Sequence, residues 1–244
     1  MKTMILMALL ALMFLIIASE GKTVPQPTTI TWSPEIPSRL TRMVNLTNEA
    51  ENFIKTIVRG RGKLTTLNFK GGFRPLKERS VDAVVNPLIY GDTCDYTADI
   101  KKPNCKDIYT WDINEGIVSP LSLPVNVTVR RRRQNWNVTL DLNGASSITW
   151  SLRKENPTKM KLPETSLKQK CNFTAETSFE GYIAYRLKER RGDTPEYDAF
   201  DIVQLADQSK GLEKRKNTLL YNVTGTFRHY RMCKDRKVIK PTKN

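Results

Sequence analysis

Ten short stretches rich in Val, Ile, Thr, Tyr, Phe and Trp follow one another between residues 63 and 232, separated by Gly, Pro, Asn and Asp. They are 63–69, 81–90, 107–113, 125–129, 136–142, 147–152, 167–178, 181–189, 200–206 and 218–232. β-Branched and aromatic side chains suit a pleated, half-buried surface and the separators form turns, so each stretch is a predicted strand. One segment departs from the pattern. In "TNEAENFIKTIVRGRG" (47–62), Asn48 is the predicted helix cap with Glu51 three residues on. Ala50, Phe53, Ile54 and Ile57 fall on one face, and Gly60 is the stop. The expected fold is therefore mainly β: an antiparallel β-rich domain with one short N-terminal helix.

The clearest strand pair is "VNVTVRRRRQNWNVTLDL" (125–142). Alternate residues of a strand share a face. Val125, Val127 and Val129 share one face in the first half; Trp136, Val138, Leu140 and Leu142 share one in the second. Asn126, Thr128, Asn137, Thr139 and Asp141 fall opposite. That is the pattern of an antiparallel hairpin with one face in the core and the other in water. Arg130, Arg131, Arg132 and Arg133 occupy its turn. Three readings of the arginines stand side by side: a solvated tip, a contact for a polyanion, or a furin-like cleavage site flanked by sugars.

Compartment narrows the choice. Met4 to Ala18 is an unbroken apolar run behind a single lysine, with small residues at Ser19 and Gly21, so residues 1–21 read as a secretory signal peptide. No later stretch approaches the roughly 20 apolar residues of a membrane helix, so no transmembrane segment is expected. Residues 22–39, proline- and threonine-rich, read as an extended leader, and 40–244 as a single β-rich glycosylated domain. Five Asn-x-Thr signals, at Asn45, Asn126, Asn137, Asn172 and Asn222, agree with secretion. Each glycan would mark a surface position.

In an oxidising compartment the four cysteines pair as two disulfides. Three pairings are possible. The expected one is Cys94–Cys105, closing a local loop, with Cys171–Cys233 tying distant strands. None of the cysteines has Cys-x-x-Cys spacing and His229 is the single histidine, so no zinc site is expected. No glycine-rich phosphate loop, nucleophile elbow or His-Glu-x-x-His is present, and neither an enzyme nor a cofactor is expected.

The chain carries 40 Lys and Arg against 25 Asp and Glu, a net charge of +15. Such a surface attracts polyanions or serves solubility alone. For a secreted glycoprotein the matching partner is a sulfated glycosaminoglycan or a cell-surface receptor, and not nucleic acid. "ERRGDTPEY" contains Arg191-Gly192-Asp193, which resembles the integrin-recognition tripeptide; the alternative is an ordinary polar turn between strands.

Two resemblances add to this. "KMKLPETSLKQKCNFTAETSFEGYIAYRL" (159–187), followed by "YNVTGTFRHY" (221–230), is similar to the C-terminal half of the aerolysin and epsilon-toxin type β-module. In that module a proline-containing turn leads into a long strand, a Phe-x-Gly turn and a final Gly-x-Phe strand. The resemblance implies a β-scaffold, and membrane insertion only if a hairpin can span a bilayer. Transmembrane strands run about 9–11 residues and alternate lipid-facing with polar residues, whereas 125–142 carries two glycan signals and four arginines. The layout of signal peptide, basic chain, several glycan signals and few cysteines also resembles the secreted immunosuppressant glycoproteins of tick saliva, which implies an immunomodulatory effector without catalysis.

Overall fold

The computed structural model describes residues 42–58, 62–71, 78–92, 94, 105–131, 134–151, 167–189 and 195–233. The chain runs β1 (Arg42–Asn45), α1 (Leu46–Val58), β2 (Gly62–Asn68), β3 (Asp82–Val85), β4 (Ile89–Tyr90), β5 (Cys105–Val118), β6 (Pro124–Arg131) and β7 (Gln134–Asp141). It continues with β8 (Ser147–Ser151), β9 (Leu167–Glu180), β10 (Tyr182–Glu189), β11 (Pro195–Asp201), β12 (Glu213–Arg215) and β13 (Thr218–Cys233). The mainly β expectation, with one helix, holds.

Three long strands dominate. β5, β13 and β9 lie side by side in an eight-stranded sheet of order β1-β5-β13-β9-β3, with β8 on β5, β12 on β13 and β4 on β9. β13 has 16 residues, roughly 50 Å at about 3.4 Å each. Strict alternation in β9 buries Cys171, Phe173, Ala175, Thr177 and Phe179 and turns the residues between them outward. Facing them in the same core are Tyr109, Trp111 and Ile113 of β5 and Val223 and Phe227 of β13.

The hairpin is as expected. β6 and β7 form their own two-stranded sheet, Val127 opposite Val138 and Val129 opposite Trp136. Val125, Val127, Val129, Val138 and Leu140 are buried in the common core. Trp136 meets Trp150 of β8 with ring centroids 6.5 Å apart. At the neck, Asn143 braces the chain: its Oδ1 accepts from Ser119 N (2.7 Å) and its Nδ2 donates to Ser119 O (3.0 Å).

A smaller sheet, β11-β10-β2, packs beside α1. Phe53 of α1 and Phe200 of β11 stand 4.7 Å apart, centroid to centroid. The turn from β9 into β10 explains the Phe-x-Gly motif. Phe179 is fully buried, while Gly181 has φ +119° and a β-carbon there would run into the Ser80 backbone. Only glycine fits both demands.

Several expectations need correction. The helix cap is Asn45, not Asn48: Asn45 Oδ1 accepts from Thr47 N (3.0 Å) and Asn48 N (3.2 Å). The buried face is Leu46, Ala50, Ile54 and Val58, spaced by four, which leaves Ile57 exposed. Residues 81–90 are not one strand. Pro87 has no N–H to donate, and the ladder breaks between β3 and β4. Residues 202–205 form a 3-10 turn because the Asp201 carboxylate accepts from Val203 N (3.1 Å) and draws the chain out of β11.

The disulfide pairing is also different. Cys94 is bonded to Cys171, 77 residues away, with Cα atoms 5.0 Å apart. The cause is β4. It pairs with β9, and Gly91 N donates to Asn172 O (2.9 Å), which brings Cys94 alongside Cys171 rather than Cys105. Cys105 is disulfide-bonded as well, and its backbone stands opposite Cys233 in the β5–β13 ladder.

Candidate functional site: a cationic end with a docked hairpin

Register alone gathers several strand ends. Cys105 pairs with Cys233, Leu167 with Tyr230 and Ile108 with Ser151, so the start of β5, the end of β13, the start of β9 and the end of β8 meet. The hairpin tip joins them, because Tyr109 Oη of β5 donates to the carbonyl of Arg130 at 3.0 Å. The sequence on either side of these strand ends is basic. Stretches 91–107, 130–133, 151–170 and 228–244, which enter, leave or tip these strands, hold 20 of the 40 Lys and Arg but 7 of the 25 Asp and Glu. The rest of the chain is close to neutral. Among the described residues of this end, Arg130, Lys168 and Lys170 are exposed, and Lys106, Arg228 and Arg231 are half-buried.

Beneath this surface lies a buried ionic group that the sequence did not disclose. Asp107 and His229 are 7% and 2% exposed. Asp107 Oδ1 lies 3.0 Å from His229 Nε2 and accepts from Arg231 Nε at 2.9 Å. A buried carboxylate needs such donors to offset its lost hydration. Tyr109 stacks on the His229 ring, 4.5 Å between centroids. Further along the same two strands, Arg228 pairs with Asp112, which also accepts from Ser147 Oγ at 2.7 Å. His229 thus ties β13 to β5 as a structural element. The one sequence signal for this was the His-x-Arg spacing in β13, which means nothing until Asp107 stands across the ladder.

The five glycan signals fall on different surroundings. Asn126, Asn137, Asn172 and Asn222 are exposed, and Asn45 is half-buried. On the hairpin the two signals interlock: Thr139 Oγ1 donates to Asn126 Oδ1 (2.7 Å) and Thr128 Oγ1 to Asn137 Oδ1 (3.1 Å). These bonds use the amide oxygen and leave Nδ2, the atom a glycan would occupy. The same holds for the Asn45 cap. Of the arginine run, Arg130 is exposed at the end of β6 and Arg131 closes the strand, whereas Arg132 and Arg133 lie outside the described residues. Arg191, Gly192 and Asp193 also lie outside them, in the connection between the paired strands β10 and β11. Among the described residues no cluster of three or more His, Cys, Asp or Glu could hold a metal ion, and no helix is long and apolar enough to cross a membrane.

The fold and this surface define a β-rich protein with a cationic end and a docked hairpin. No protein-family model matches the chain, nor does any curated protein. Solved structures give distant likenesses. A non-toxic crystal protein from Bacillus thuringiensis matches with TM-score 0.46 and 11% identity, over 78% of this chain and 94% of that one. A chain of the Cry23Aa1 and Cry37Aa1 binary protein complex matches with TM-score 0.41 and 12% identity, over 78% and 86%. The Mpp75Aa1.1 beta-pore-forming protein from Brevibacillus laterosporus gives TM-score 0.23 and 9% identity, over 70% and 65%. At these TM-scores and identities nothing about the role of this chain follows from the likenesses. The resemblance to tick-saliva glycoproteins finds no support.

Proposed function

We propose that the protein is a secreted, non-enzymatic glycoprotein that docks through its cationic end on sulfated glycosaminoglycan or a similarly anionic receptor at a cell surface. The observation that carries this reading is the set of described cations at one end of the large sheet, with Arg130, Lys168 and Lys170 exposed and Lys106, Arg228 and Arg231 half-buried. Concentrated charge produces a directional field and speeds encounter with polyanions, an effect weakened as salt shortens the screening length to about 8 Å at physiological ionic strength. Replacing Arg130–Arg133 with serine lowers the salt needed for elution from heparin, and by more than replacing Lys234, Arg236 and Lys237 together. Equal shifts would leave total charge as the only cause. An immunomodulatory role is not part of this proposal.

A second reading is membrane insertion by the β6–β7 hairpin, favoured by its being a sheet of its own with an apolar face. Its strands have 8 residues each, short of the roughly 9–11 of a transmembrane strand. Dye release from anionic liposomes tests it: leakage supports insertion, and retention of dye with heparin binding supports docking.

A further inference from the structure

Lys63 and Lys188 stand directly opposite each other on adjacent antiparallel strands, β2 and β10, and both are exposed. Facing residues have β-carbons about 4.5–5.5 Å apart, and like charges there are destabilising. Neither ammonium has an ion-pair or hydrogen-bond partner among the described residues. Two residues along β10, about 6.8 Å away, Arg186 is also exposed, its guanidinium 5.6 Å from the centre of the Tyr197 ring. The positions facing Arg186 are Thr66 and Tyr197, and those facing Lys188 are Lys63 and Pro195, so no acidic residue stands opposite either.

We infer that this outer face of the small sheet is a second anion-binding surface, on which a sulfated polysaccharide lies along β10. One sulfate ester sits between Lys63 and Lys188, and a neighbouring one meets Arg186. The ligand class is that of the proposed function; the residues are separate from it. Ammonium groups on two strands bracket an oxyanion and lose their mutual repulsion when it binds. A spacing of about 6.8 Å between cations in a row suits a polymer with repeated anionic groups. The Tyr197 ring adds an apolar platform of the kind a sugar ring can lie on.

The experiment uses the full chain with Arg130–Arg133 replaced by serine, so that the hairpin tip cannot dominate. Affinity for a heparin oligosaccharide and thermal midpoint are measured for this background and for Lys188→Glu and Lys63→Ser within it. Lys188→Glu converts a repelling pair into an attracting one, so the midpoint rises by about 1–4 °C, while affinity falls by about tenfold. Lys63→Ser also weakens binding. Unchanged affinity in both variants overturns the inference, as does a single-stranded oligonucleotide of equal charge binding as tightly as the heparin oligosaccharide. If the serine background binds like the native protein yet Lys188→Glu abolishes binding, the cationic end fails as the docking site and the Lys63–Lys188 surface stands. If the native protein shows no binding, both fail.

Discussion

Tyr109 of β5 and Arg130 of β6 are joined by a hydrogen bond from the phenol to the main-chain carbonyl, 3.0 Å long, which links the large sheet to the hairpin tip. The Tyr109 ring is already fixed by stacking on His229, with 12° between the planes. Tyr109→Phe keeps the stack and removes the bond. The expected loss is about 0.5–1.5 kcal/mol. Amide hydrogen exchange should speed up at the end of β6 while β9 remains protected. Uniform acceleration across both elements would mean that the hydroxyl does not secure the tip.

Disulfide topology has a direct chemical check. Non-reducing peptide mapping is expected to find Cys94 joined to Cys171 and Cys105 joined to Cys233, the residue across the ladder. Replacing both Cys94 and Cys171 with serine opens a loop of 77 residues and should cost roughly 2–4 kcal/mol. A Cys94–Cys105 peptide would contradict the way β4 lies on β9.

Gly225 lies beneath the ring of Phe173. A β-carbon there would come within 2.5 Å of the ring's Cζ and would also meet the Asp112 carbonyl. Gly225→Ala is therefore expected to destabilise by about 1–3 kcal/mol through overpacking. Phe173→Leu in the same chain makes room on one side and should recover part of the loss, a coupling that a double-mutant cycle measures. Simple additivity would show that Phe173 is not what confines the glycine.

These cases mark what the chain discloses by itself. The hairpin was legible because Val125, Val127 and Val129 alternate with polar residues locally and without interruption. The Gly-x-Phe and Phe-x-Gly motifs were visible as words, but their reasons lie in distant residues: Phe173 and Asp112 for Gly225, Ser80 for Gly181. The sequence presents Asn45 as a glycan signal, while the same amide caps α1. Nearness in sequence suggests Cys94–Cys105, whereas a two-residue strand, β4, decides the pairing in space. That Lys106, Arg130, Lys168 and Arg231 share one end of the large sheet could not be read without register, since they are far apart in the chain.

A half-buried tyrosine, Tyr90, and a buried one, Tyr221, make stability depend on alkaline pH. Burial pushes the Tyr90 phenol above the ordinary 10.0, although the Trp111 indole N–H, donating to its oxygen, opposes this in part. Burial also raises Tyr221, with Glu115 adding to the effect and Arg42 opposing it. For a group whose folded pKa lies above its unfolded value, the folded state holds the proton more tightly. Its contribution is complete below the unfolded pKa and is lost as pH rises through the folded one. The thermal midpoint should therefore decline above about pH 10. Tyr90→Phe lowers the midpoint at neutral pH, because the buried Trp111 N–H loses its acceptor, at a cost of about 1–3 kcal/mol. The same variant should make the alkaline decline shallower, since one of the two titrating phenols is gone. Lysines lose their protons in this range in every variant, so the comparison rests on the difference in slope between native protein and Tyr90→Phe. An equal slope would show that Tyr90 ionises as readily in the folded chain as in the unfolded one.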